Sequence, residues 1–208
     1  MLNLLLHQTI ALITILNPIA AASIMVSMID SPTPPTIRST ASKATFTVLV
    51  ASLLTLFGGE FIFKLFGISV DSIKVIGGVI LMIIAINMVY GEGAKNRHSP
   101  EERDEAAEKE DISIVPLGIP ILFGPGVIAT IVVLHTNNKM LDPMINYGIE
   151  SVAILLSSLV VFLTLRYAGS ITKYLGVTGI KILTRIMGLV VGAIAAQFLV
   201  GGVKALWG

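Results

Sequence analysis

ISIVPLGIPILFGPGVIATIVVLH, residues 112–135, contains no Asp, Glu, Lys or Arg. At 1.5 Å rise per residue such a run, wound as a helix, crosses a hydrocarbon core of about 30 Å. It is nevertheless punctuated like a loop, with Pro116, Pro120, Gly124, Pro125 and Gly126 inside it. Proline removes a backbone donor and clashes with the preceding turn, and in lipid each freed polar group costs several kcal/mol unless something satisfies it. A break here must therefore face protein or a polar cavity. The expected form is a discontinuous membrane helix supplying half of a small-solute site. The other half is expected from Asn17-Pro18 in the first helix, where Asn17 suits an N-cap and Pro18 the first residue of a new half-helix.

Composition sets the class around this stretch. The chain is 54% hydrophobic and 13% charged, with a mean hydropathy of +0.89, against about 25% charged residues in a soluble domain. This describes an integral membrane protein with the lipid bilayer as its principal partner. The net charge of +1 comes from basic residues spread between apolar runs, which argues against a nucleic-acid partner. With no Cys, disulfides, thiolate metal sites and a cysteine nucleophile are excluded. His7, His98 and His135 are too scattered to suggest a metal cluster, so neither a metal nor a cofactor is expected.

Charge-free windows at 1–29, 44–59, 75–91, 112–138, 151–165 and 186–203 predict an all-α polytopic fold. Its six spans fall at about 4–29, 43–66, 69–90, 112–135, 147–168 and 179–205. The whole chain, 1–208, reads as a single membrane domain. Repeat one covers 1–90, an acidic cytoplasmic linker 91–111, and repeat two 112–208. The segments after spans one, three and five carry Arg38, Lys43, Lys95, Arg97, Arg103, Lys109, Arg166, Lys173, Lys181 and Arg185. The opposite side has only Lys64, Lys74, Lys139 and Lys204. The basic excess places the former inside and both termini outside.

The case for a repeat rests on two alignments. Setting Pro18 on Pro125 brings Ala22 onto Ala129 and Ser23 onto Thr130, while setting Gly78 on Gly188 brings Asn87 onto Gln197. The offsets, 125 − 18 = 107 and 188 − 78 = 110, nearly agree. Because each half has three spans, the halves must run in opposite directions, the inverted-repeat plan of many secondary transporters. The half-helices beginning at Pro18 and Pro125 would then meet with both N-termini near mid-membrane. Each terminus presents unpaired N–H groups and about half a positive charge, so together they can hold a carboxylate without an arginine. Asn17, Ser23, Asn87, Thr130 and Gln197 are the candidates to bond an ammonium or polar substituent, with Gly124 and Gly126 leaving the backbone within reach.

These residues resemble the MarC family of bacterial and archaeal membrane proteins. The resemblance is carried by Asn17-Pro18, by Phe66-Gly67-Ile68-Ser69 with Gly77-Gly78, and by Pro116-Leu117 with Pro120 and Gly124-Pro125-Gly126. Arg185-Met187-Gly188 and Gln197-Phe198 complete it. It implies a protein of the prokaryotic cytoplasmic (inner) membrane that transports glycine, alanine, serine or similar small neutral amino acids, often as an exporter.

The expected function is therefore secondary transport by alternating access around a midplane site, one half moving against the other. No carboxylate is expected in the core of any span, so coupling is assigned either to H⁺ at Glu60 or His135 or to Na⁺ on carbonyls freed at the breaks. A passive facilitator or channel is a second reading, although rings of charge are missing. A non-transporting scaffold is a third, and it leaves the paired breaks without a role. An enzyme is not expected, since no Ser-His pair, aspartate pair or H-E-x-x-H motif lies in the spans. A homo-oligomer is compatible with all three.

Overall fold

The structure is a computed structural model that describes residues 1–29, 32–91, 112–137 and 142–207. Beyond Gly91, the polar linker expected at 91–111 lies outside the described residues. Among the described residues seven α-helices follow in order: α1 (Leu2–Leu16), α2 (Pro18–Met28), α3 (Pro34–Leu65), α4 (Val70–Tyr90), α5 (Pro125–Asn137), α6 (Pro143–Arg166) and α7 (Ala168–Trp207). A segment of wide turns, Ser113–Leu122, precedes α5, and no strand occurs among the described residues. Five stretches are long and apolar enough to span a membrane, α1 and α2 counting as one. Ser113–Leu122 with α5, bent by 56°, makes a sixth when taken as a single span.

Local chemistry explains where the helices begin, and it corrects two expected boundaries. Helix α3 starts at Pro34 rather than near 43, because Thr33 caps it, accepting from the Thr36 N–H at 3.4 Å. Prolines are tolerated in the first turn, where N–H groups lack partners anyway. Helix α6 likewise starts at Pro143 rather than 147, with Asp142 accepting from the Met144 and Ile145 N–H groups at 2.9 and 3.4 Å. Helix α7 begins at Ala168 and is interrupted at Gly176 (φ 61°), so the span expected from 179 is preceded by a further helical piece. Positive φ at that point suits glycine, which has no Cβ to clash.

The most extensive contact joins α4 to α7, antiparallel, through small residues. A Cβ built on Gly78 would lie 2.9 Å from the Ala195 carbonyl oxygen and the Leu199 nitrogen; one on Gly188 would lie 2.8 Å from the Met88 Cβ. At the far end of the seam, a Cβ on Gly202 would lie 2.8 Å from the Asp71 carbonyl oxygen. Lipid supplies no hydrophobic drive between helices, so close backbone approach and dispersion hold such a seam. Gly188 and Gly192 face it, with buried Ala195 continuing the small-residue surface, whereas Ala196 is exposed.

The remaining contacts define layers. Helix α3 packs on α6, and α4 on α7. Between these two pairs lie the two interrupted spans. Helix α1 packs on α6, and α2 on both α6 and α7. In the second half, Ser113–Leu122 packs on α3, and α5 on both α3 and α4. Almost every substantial contact therefore joins residues from before the linker to residues after it. The outer faces carry Phe46, Leu54, Phe61, Ile76 and Leu189, all exposed, as lipid contact requires.

Candidate solute site at the interrupted spans

Asn17 leaves the helical backbone at φ 45° and ψ 60°. It closes α1 by donating its N–H to the Ile13 carbonyl at 3.0 Å, and it opens α2. Asparagine is one of the few non-glycine residues that enter the left-handed region at low cost. Pro18 follows without an N–H to satisfy. The cap on α2 is loose: the Ala20 N–H reaches the Asn17 side-chain oxygen only at 3.5 Å, the limit of a hydrogen bond. The Asn17 amide nitrogen has a sulfur for its neighbour, Met88 Sδ at 3.9 Å.

A cavity of about 190 Å³ lies against this break. Asn17, Ala20, Ser23 and Ile24 line one wall, Met88 and Gly91 a second, and Lys181 and Thr184 of α7 a third. Drug-sized ligands need about 300–1,000 Å³, so this space suits a smaller solute. It runs from mid-helix toward the end carrying Gly91 and Lys181.

The second break is built differently. Val115 and Ile119 take extended backbone angles within Ser113–Leu122, and the peptides Val115–Pro116 and Ile119–Pro120 are cis. Hydrogen bonds five residues apart, Leu117 N–H to Ile112 O at 3.2 Å and Phe123 N–H to Gly118 O at 2.9 Å, close the wide turns. Gly124, Pro125 and Gly126 line a separate crevice of about 250 Å³ with Ile15, Ile80, Ile83 and Ile84, and Pro125 is exposed. Ile121 borders both spaces. The breaks are thus neighbours, but they form two cavities rather than one, and only the first has a polar lining.

The expected polar residues part company accordingly. Asn17 and Ser23 share the first cavity. Pro18 is buried beside it. Thr130 is fully buried and returns its hydroxyl to the Gly126 carbonyl at 2.8 Å, within its own helix. Asn87 is half-buried and lines neither cavity, while Gln197 is exposed on α7 one residue before buried Phe198. A Cβ on Gly126 would lie 2.9 Å from Leu81 Cδ2, so this glycine serves helix packing. Lys181 and Thr184 were missed; their i, i+3 spacing was visible, but Lys181 read only as one of the basic residues that orient the chain.

The coupling candidates also separate. Glu60 and Lys64 form an i, i+4 ion pair at 2.9 Å with the Lys64 side chain 69% exposed; solvated pairs of this kind contribute little. His135 instead is buried, its Nδ1 3.0 Å from Oε2 of Glu150, which is 0% exposed. The expectation that no span holds a core carboxylate is corrected here. Glu150 borders the charge-free window 151–165 and stood near the start of the span expected at 147–168; with α6 starting at Pro143 it lies seven residues into the helix. Asn146 donates to the His135 carbonyl at 2.9 Å, and the Tyr147 ring sits 4.2 Å from the imidazole.

An all-helical chain with five or six spanning stretches and two interrupted segments between paired helices defines a polytopic integral membrane protein. The chain belongs to the MarC family, since the model for "MarC family integral membrane protein" matches residues 2–207. It is similar to the UPF0056 membrane protein YhcE of Escherichia coli, 32% identical over 95% of this chain and 91% of that protein. A UPF0056 membrane protein of Methanocaldococcus jannaschii is 38% identical over 93% of each chain. YvbG of Bacillus subtilis is 32% identical over 100% of this chain and 97% of its own length. No solved structure matches the chain.

Proposed function

We propose that the protein is a secondary transporter of small neutral amino acids of the glycine, alanine and serine type. It would work by alternating access at the break between α1 and α2, in the cytoplasmic membrane of a prokaryote, with both termini outside and export as the direction. One observation carries this reading: a small cavity with a polar lining abuts the N-terminal end of α2, where Asn17 interrupts the span. A carboxylate there can replace the long contact between Asn17 and the Ala20 N–H and meets the positive end of the helix dipole. Ser23 and Thr184 offer hydroxyls to an ammonium group, and Lys181 at the inner mouth attracts the carboxylate on arrival. A glycine, alanine or serine zwitterion fits within the cavity of about 190 Å³.

The packing supports an inverted repeat. Exchange α1–α2 with Ser113–Leu122 and α5, α3 with α6, and α4 with α7, and the principal contacts map onto themselves. The same packing speaks against one half rocking on the other, because the halves interleave. The bodies available to move are the pair α3–α6 and the pair α4–α7, with the interrupted spans between them changing sides. Scaffold and passive-pore readings leave the polar cavity and the loose cap unexplained.

Counterflow of labelled glycine in proteoliposomes tests the reading. Unlabelled glycine and alanine are expected to compete, and glycinamide and alaninamide, which lack the carboxylate, are expected not to. Equal competition by the amides would refute the carboxylate site.

A further inference from the structure

The outer end of the bundle holds a second group of buried polar side chains, away from the solute cavity. Glu150 is 0% exposed; one carboxyl oxygen meets His135 Nδ1 at 3.0 Å and the other, Oε1, has no partner among the described residues. Asn146 spends its amide nitrogen on His135, leaving Oδ1 unpartnered. Gln8 of α1 is also 0% exposed, with neither amide atom partnered among the described residues. It lies six residues into α1 and Glu150 seven into α6, so at 1.5 Å per residue both sit about 10 Å from the same end of two helices that pack together.

Unpaired polar atoms in a helix packed within a membrane are costly, and a buried carboxylate most of all. A structural ion pair would have both carboxyl oxygens engaged, because desolvation outweighs the attraction of an incompletely bonded pair. Here the half-used carboxyl, the imidazole and the idle Asn146 oxygen form a set in which one proton more or less changes the charge without breaking a hydrogen bond, and the idle Gln8 amide lies at a similar depth on the neighbouring helix. We propose that Glu150 and His135 together are the proton-carrying site that couples the pH gradient to solute movement, a role that rests on the transport reading above.

The connectivity suits it. His135 ends α5, whose start is the Gly124–Gly126 break, and Glu150 lies on α6, against which α1 and α2 pack. A change of charge at this pair therefore bears on both interrupted spans. The other titratable or charged groups on the elements around it are few. Tyr147 stacks between His135 and Phe57, Glu60 and Lys64 pair one turn beyond Phe57 on α3, His7 is exposed on α1, and α2 has none.

Proteoliposomes with an imposed pH gradient and labelled glycine test this. One proton per solute yields up to about tenfold glycine accumulation per pH unit, inside or outside according to symport or antiport. Glu150→Gln keeps the shape and removes the proton, so accumulation should fall to equilibration while counterflow, which needs no net proton movement, continues. Gradient-driven accumulation by Glu150→Gln at the wild-type level overturns the proposal, as does wild-type counterflow without any response to pH. Absence of wild-type counterflow instead refutes the transport reading itself. Should Glu150→Gln fail to insert, His135→Gln gives the same comparison. Infrared difference spectra of the wild type across about pH 5 to 8 add a readout without substrate: a buried carboxyl band that titrates supports the pair, and no titrating band overturns it.

Discussion

At the scale of single residues, Asn17 does two jobs that different substitutions separate. Its backbone sits in the left-handed region, which costs an ordinary L-residue about 1–2 kcal/mol, and its amide faces the cavity. Asn17→Gly keeps the backbone geometry and removes the amide. It should leave thermal unfolding of the detergent-solubilised protein nearly unchanged while weakening glycine counterflow about tenfold, the effect of one lost hydrogen bond of about 1.4 kcal/mol. Asn17→Val should lower stability by about 2 kcal/mol, since β-branching makes positive φ worse. Equal stability losses in both variants would mean that the amide only holds the bend. The change of helix at Asn17 was legible, because Asn before Pro suits the end of one helix and the start of another; its left-handed backbone was not. The fate of Thr130 was not: a threonine within a helix bonds outward or back to the preceding turn with equal ease, and only packing decides.

At the scale of elements, the seam between α4 and α7 carries the packing. A side chain at Gly78 meets backbone atoms of α7 at 2.9 Å, and backbone cannot yield as a flexible side chain does. Gly78→Val should destabilise by about 1–3 kcal/mol, the usual cost of overpacking. Gly58, with nothing within 4 Å of a built Cβ, should accept alanine with no loss and up to about 1 kcal/mol of gain from the stiffer unfolded chain. Thermal unfolding of the two variants side by side decides, and equal behaviour would show that the seam is slack. Six apolar runs predicted the spans well, because lipid demands apolar length above all. The starts of α3 and α6 were misjudged where proline read as a loop signal although Thr33 and Asp142 stood ready as caps. Glu150 lay within the span expected at 147–168 but beside its start; the cap at Asp142 sets it seven residues in.

At the scale of the whole molecule, the alignment of Pro18 on Pro125 foretold neighbouring breaks but not their unequal chemistry. Periodicity assigns a residue to a helix; it does not say which neighbour the helix turns that face to. Gln197 looked like the partner of Asn87, yet α7 presents Ala195 and Phe198 to the bundle and leaves Gln197 outside. Interleaving has the same origin, since two sequence halves whose helices pack chiefly on the other half cannot be told from two separate bundles by composition. What the arrangement holds is a small cavity with a polar lining where Asn17 interrupts the first span, walled by α4 and α7. The direct measurement is labelled glycine counterflow in proteoliposomes of wild type and of Ala20→Phe, which fills the cavity from the first turn of α2, at matched incorporation. The prediction is rapid exchange in the wild type and none in Ala20→Phe; exchange at the wild-type rate in Ala20→Phe would contradict a solute path past Asn17.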